Sequence, residues 1–133
     1  MIGILIVAHK PVASSFAMAI RHVLGTTPAQ LAWLDVDSGD EPNTVTQRAG
    51  ALITEIDTGS GVLVCCDVCG ATPSNIATKL SEPGKVHVLT GLNLPMLLRA
   101  INYRNVSLEE TTQKAHAGAT GGVMRMERDD AAK

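Results

Sequence analysis

Three short stretches carry side chains able to do chemistry: "AHK" at 8–10, "CCDVCGATPSN" at 65–75 and "GLNLPM" at 91–96. His9 is the first candidate. Imidazole has an ordinary pKa of about 6.5, so near neutral pH its uncharged form offers a nucleophilic ring nitrogen. The quality of that nucleophile depends on what holds the other nitrogen. A carboxylate there fixes the tautomer and stabilises positive charge developing on the ring, and Asp67 is the candidate carboxylate. Just downstream, Gly70 permits tight backbone turning, and Thr72 stands where an N-cap would, ahead of Pro73 at the first position of a helix. N–H groups and partial positive charge at a helix start suit a phosphate. The predicted phosphate-binding set is Gly70, Ala71, Thr72 and Ser74, the last two through their hydroxyls. Each residue also has a plainer reading: His9 as a strand-end histidine, Asp67 as a loop or capping aspartate, "GATPSN" as a strand–turn–helix link. Lys10, beside His9, either steers an anion or simply sits in solvent.

All three cysteines fall within five positions, two of them spaced C-x-x-C as Cys66 and Cys69. A thioredoxin-like pair sits at the start of a helix, whereas Cys65 and Cys66 lie inside an apolar strand, where free cysteine behaves as a small hydrophobe. A zinc site needs about four ligands, and no second cysteine pair or histidine spacing supplies them. No metal or organic cofactor is therefore expected. A small-ligand or redox module using the Cys66/Cys69 loop is the alternative function, although aromatics that would sandwich a flavin are lacking. No P-loop, dinucleotide-binding fingerprint or nucleophile elbow is present.

The elements that must position these residues follow from apolar periodicity. "IGILIVA" (2–8) is a continuous apolar run, as for a strand covered on both faces. Residues 12–24 repeat at helical spacing, with Gly25 as a stop. "LAWLDV" (31–36) is a second strand and "DSGDEPN" a polar loop. Val45, Ala49, Leu52, Ile53 and Ile56 mark a second helix. "VLVCCD" is a third buried strand, followed by a helix over about 73–80. "VHVLTG" is the fourth strand and "LPMLLRAINYR" the fourth helix. Ser107 and Glu110 form a capping box that opens a fifth helix, and "GGVMRM" (121–126) has the pattern of a short terminal strand. Strands alternating with helices predict an α/β fold, a doubly wound and mainly parallel sheet in flavodoxin-like order 2-1-3-4. Ligands in such folds bind outside the carboxyl ends of the strands where strand order reverses. His9 and Asp67 would then face each other there. His22 and His116 are expected on helix surfaces, and His87 is expected within the fourth strand as a packed or edge-strand residue.

At 133 residues, with 45% apolar residues, the chain has the makings of one globular domain, 1–126, ahead of a charged tail, 127–133. A net charge of −2 and an aromatic content of 2% argue against a nucleic-acid platform. No apolar run approaches the roughly 18 residues of a membrane span, and the apolar opening lacks the basic flank of a signal peptide. An odd, crowded cysteine set suits a reducing cytoplasm.

The strand-ending histidine, the D-x-x-G-[GA]-[ST]-P block at 67–73 and the G-x-N-x-P-M block at 91–96 together resemble the mannose-family EIIA component of the bacterial phosphoenolpyruvate–sugar phosphotransferase system. The resemblance runs from Ile2 to about Met126. It implies that His9 accepts a phosphoryl group from phospho-HPr and passes it to an EIIB component or, as a regulatory phosphocarrier, displays it to a regulated protein. It also implies that Asp67 orients the ring, that Thr72 is the hydroxyl residue before proline, and that the protein is a homodimer in which the last strand, here "GGVMRM", crosses to the partner. Lys10, Cys69 and Ala71 depart from the family's usual glycine, aromatic and second glycine.

Overall fold

The computed structural model describes residues 1–129. A four-stranded, all-parallel sheet runs in the order β2-β1-β3-β4, with β1 (Gly3–His9), β2 (Leu31–Val36), β3 (Val62–Cys66) and β4 (Val86–Leu89). Five helices connect and flank the strands: α1 (Val12–Leu24), α2 (Pro42–Ile56), α3 (Thr72–Leu80), α4 (Leu94–Asn102) and α5 (Leu108–Gly121). The predicted fold class and strand order are observed.

β1 is central because both its faces are apolar. Ile4, Ile6 and Ala8 pack with α1, α4 and α5, while Leu5 and Val7 pack with α2 and α3. A fully buried Ile or Leu contributes about 1.5–3 kcal/mol, so the continuous apolar run commits this strand to the interior. Gly3 allows the end of α2 to close over the sheet, since a Cβ there would lie 2.6 Å from the Ile56 carbonyl oxygen. Register places His9 opposite Val36 of β2 and Val7 opposite Cys66 of β3. The carboxyl ends of β1 and β3 therefore adjoin at the point where strand order reverses.

Helix boundaries match the periodicity closely, with informative exceptions. α2 begins at Pro42, inside the stretch predicted as loop, because the Glu41 carboxylate accepts hydrogen bonds from the N–H groups of Asn43 and Thr44. α3 begins at Thr72, one residue earlier than expected, and its N-cap is Ala71. Thr72 is thus the first helical residue and not the cap. The terminal "GGVMRM" is helix to Gly121 and then has no regular secondary structure over 123–129. A strand needs a ladder partner, and this segment has none within its own chain among the described residues. The last four residues of the charged tail lie outside the described residues.

Candidate functional site

His9 ends β1 and Asp67 directly follows β3, so adjacent strands deliver them to the same rim. The Asp67 Oδ2 atom accepts from the His9 backbone N–H at 3.0 Å and lies 2.7 Å from His9 Nδ1. Its other oxygen, Oδ1, accepts from the Val68 N–H at 2.9 Å. A carboxylate this close to Nδ1 selects the tautomer with the proton on that nitrogen. Nε2 then carries the lone pair, on a side chain 51% exposed. Partial burial alone would raise the Asp67 pKa; the hydrogen bonds from the His9 ring, the His9 N–H and the Val68 N–H outweigh it and hold the carboxyl below its ordinary value.

Asp67 is also held from the far side. Gly91 N–H donates to the Asp67 carbonyl oxygen at 3.2 Å and Leu92 N–H to that of Cys66 at 3.0 Å. Gly91 has φ +81°, the left-handed region glycine adopts without penalty. Asn93 caps α4 by accepting from Met96 N–H, and its amide donates to the Ala119 carbonyl. The "GLN" block is therefore a brace for the Asp67 loop, a role the sequence reading did not assign.

A cleft of about 360 Å³ opens beside His9, lined by His9, Val36, Asp37, Ser38, Asp40, Pro42 and Thr72. The helix starts at this rim differ in one respect. The Ser14 N–H in the first turn of α1 donates to the Asp35 carboxylate, α2 is capped by Glu41 and α4 by Asn93. α3 alone among the described helices near the rim has no side chain accepting from its first-turn N–H groups. Those N–H groups have no partner within the helix, which leaves an open, electropositive helix start on the residue, Thr72, that shares the cleft with His9.

The other predicted phosphate ligands sort by geometry. Gly70 is exposed at φ +84°, and Ala71 supplies the extended cap that turns the chain into α3. The Ser74 side chain points inward; its residue is 3% exposed and its hydroxyl donates to the Ala71 carbonyl at 2.9 Å. Ser74 faces the cleft with its backbone at most, while its hydroxyl fastens the turn. Lys10 is solvent-exposed, with Nζ 3.9 Å from Asp37 Oδ2. His22 and His116 are exposed on helices as expected, and His87 packs in β4 with Nδ1 2.8 Å from Thr112 Oγ1.

The cysteines are three free thiols, Cys65 and Cys66 buried and Cys69 exposed. Burial, and then the Asp67 charge, push the Cys66 thiol up to about 12; burial also raises that of Cys65. The thiolate is the reactive form, so the geometry disfavours Cys66 as half of a redox pair. Among the described residues no group of histidine, cysteine and carboxylate side chains is arranged to hold a metal. No helix among them is long and apolar enough to cross a membrane.

A parallel sheet in the order 2-1-3-4 with helices on both faces, and a histidine held by a carboxylate at its reversal point, places the chain in the flavodoxin-like class of α/β proteins. The comparisons specify the family. A family model described as "PTS system fructose IIA component", EIIA-man, matches residues 3–117, and the chain belongs to that family. It is 28% identical over 105 residues to the mannose-specific EIIAB component of Escherichia coli strain K12, covering 78% of this chain and 32% of that protein. The chain thus spans about a third of the length of the curated relatives it matches. Its fold superimposes on phosphotransferase system component EIIA from Streptococcus agalactiae with a TM-score of 0.84, at 25% identity and coverage of 94% and 97% of the two chains. The mannose/sorbose-specific IIA subunit from Enterococcus faecalis gives 0.85 at 19% identity, covering 97% of each chain, and supports the fold.

Proposed function

We propose that this chain is a phosphohistidine carrier that takes a phosphoryl group from phospho-HPr onto His9 Nε2 and passes it to an EIIB component or to a regulated protein. The observation that carries this reading is the 2.7 Å contact between His9 Nδ1 and Asp67 Oδ2, which leaves Nε2 as the nucleophile. In the forward step the Nε2 lone pair forms the new N–P bond. The donor's N–P bond breaks and its electron pair returns to the donor ring. The His9 ring gains positive character as the bond forms, and the Asp67 carboxylate stabilises it through the Nδ1 proton. The phosphoryl oxygens lie against the start of α3, with backbone N–H groups around Gly70 to Ser74 and the Thr72 hydroxyl as donors. Catalysis is then positioning and electrostatics, and the scheme calls for no metal or organic cofactor. A homodimer that exchanges its terminal segments, acting in the cytoplasm, belongs to the same proposal.

The test is incubation with phosphoenolpyruvate, Enzyme I and HPr, followed by intact-mass measurement. One acid-labile phosphoryl group is expected on the wild type and none on His9→Ala. Label that persists in His9→Ala overturns the site.

A further inference from the structure

Two clefts meet beside His9, and the wall between them is acidic. Asp37 and Asp40 line the cleft that contains His9 and Thr72. They also line a neighbouring cleft of about 380 Å³ together with Lys10, Asp35 and Arg48. The loop carrying them is internally tied: the Asp37 N–H donates to Asp40 Oδ2 at 2.8 Å, the Asp40 N–H donates to the Asp37 carbonyl at 3.1 Å, and the Ser38 N–H donates to Asp37 Oδ1 at 2.8 Å. These hydrogen bonds tie together the loop that presents both carboxylates to the clefts. Lys10 stands on the other side of the wall, 3.9 Å from Asp37 Oδ2, and the Lys10 N–H is bonded to Val36 O, which ties its backbone to the same loop.

A phosphoryl group brings roughly two negative charges. Placed on Nε2 it enters a cleft whose α3 side attracts it and whose Asp37–Asp40 side repels it. We propose that Asp37, backed by Asp40 and countered by Lys10, sets the phosphoryl-transfer potential of His9. This inference rests on the phosphocarrier reading and deepens it. The carboxylates leave the uncharged His9 ring almost unaffected but raise the free energy of the phosphorylated form, because Coulomb repulsion acts only when the second charge is present. The bound group is thereby held less tightly and handed on more readily. Lys10 moderates that push. Asp37, Asp40 and Lys10 touch no reacting atom in this structure; they act through the field at the cleft.

The experiment is the equilibrium between phospho-HPr and this chain, read as the ratio of phosphorylated to unphosphorylated intact masses. Asp37→Asn is expected to shift the ratio toward the phosphorylated chain by roughly three- to tenfold. Lys10→Met is expected to shift it the other way, and Asp37→Glu to keep the wild-type ratio. Both shifts should shrink as salt rises from about 0.05 to 0.5 M, because exposed charges are screened beyond a few ångströms at high salt. A structural role would give shifts of one sign that ignore salt. Since Asp37 and Lys10 are exposed, thermal melts should match the wild type and keep the comparison clean. Label on wild-type His9 with a ratio unchanged in Asp37→Asn, shifts of the same sign in Asp37→Asn and Lys10→Met, or shifts insensitive to salt overturn this inference alone. A wild-type chain that takes no label overturns the phosphocarrier reading and this inference with it.

Discussion

Asp67→Asn isolates what the carboxylate does for His9. The side chain is 18% exposed and accepts three hydrogen bonds, two at Oδ2 and one at Oδ1. An asparagine has one acceptor oxygen and one donor NH₂. If the amide oxygen faces His9, the NH₂ meets the Val68 N–H, donor against donor. If the NH₂ faces His9, it meets the His9 backbone N–H and drives the ring to accept at Nδ1, which moves the proton onto Nε2 and removes the nucleophile. Either arrangement loses the negative charge. A hydrogen bond to a charged group is worth about 1.5–3 kcal/mol. During phosphoryl transfer the ring becomes more positive, so the upper half of that range applies to the barrier. A loss of about 2–3 kcal/mol corresponds to a rate reduction of roughly 30- to 150-fold. The unpaired donor also costs stability, at the low end of about 1–3 kcal/mol because the loop is partly wet, or a Tm lower by about 3–5 °C. The assay is single-turnover transfer from excess phospho-HPr, quenched in base and read by mass, beside a thermal melt. A folded Asp67→Asn chain that accepts phosphate within twofold of the wild-type rate would refute the argument, leaving Asp67 as a structural loop residue.

The Asp67 carboxyl is held below its ordinary pKa, its burial being outweighed by the hydrogen bonds from His9 and Val68. The unfolded chain therefore binds this proton first as pH falls, and the stabilisation is complete above about pH 4 and lost as pH drops through the lowered value. The Tm gap between wild type and Asp67→Asn should close on that acid limb, and a gap independent of pH would contradict the assignment. Ala71→Asp places a capping carboxylate on the open start of α3; the N-cap has extended geometry suited to it. It should raise stability by about 0.5–2 kcal/mol while suppressing phosphoryl acceptance, and a stabilised variant with unchanged transfer would show that the phosphoryl group does not use that helix. A thiol reagent should titrate one cysteine, Cys69, in the native protein and three in denaturant. Cys69→Ser should transfer phosphate at the wild-type rate, whereas loss of transfer would revive a role for the thiol.

The sheet was legible because its signal is long and unmixed: Ile2 to Ala8 has no polar residue, and every position from Ile2 to Ala8 is buried. Once strand order was inferred, His9 and Asp67 had to meet, and register brings them together. Details set by single hydrogen bonds were not legible. The start of α2 depends on Glu41, which caps with a longer side chain than the aspartate, asparagine, serine or threonine that usually marks a helix start. Thr72 has the preferred chemistry for a cap but sits one residue inside the helix, because Ala71 already adopts the extended geometry and the Ser74 hydroxyl closes the turn onto its carbonyl. The brace from Gly91 and Leu92 runs through backbone groups, which leave no trace in side-chain pattern beyond the glycine. The acidic wall at Asp37 and Asp40 looked like an ordinary polar loop, since nothing in the local sequence shows that β2 delivers it to the side of His9.

The distribution of caps around the rim has a consequence for how this fold separates stability from function. A helix start left open forgoes about 0.5–2 kcal/mol that a capping side chain would supply. α1, α2 and α4 take that stabilisation, from Asp35, Glu41 and Asn93. α3 does not, although its sequence contains Thr72 and Ser74, either of which has the hydroxyl to cap if placed one position earlier or turned outward. Ser74 is instead turned inward and Thr72 is displaced into the first turn. Asp35 in β2 accepts from the start of α1, and Glu41 accepts from the start of α2 that it precedes, so neither competes for α3 with the anion of the proposed carrier. Besides Asp67, the carboxylates facing that anion are those of the Asp37–Asp40 wall, whose hydrogen bonds and ion pair among the described residues go to their own loop and Lys10. In the proposed carrier, attraction at α3 and repulsion at the wall therefore come from separate elements, and Ala71→Asp and Asp37→Asn are expected to move them independently while leaving the His9–Asp67 pair in place.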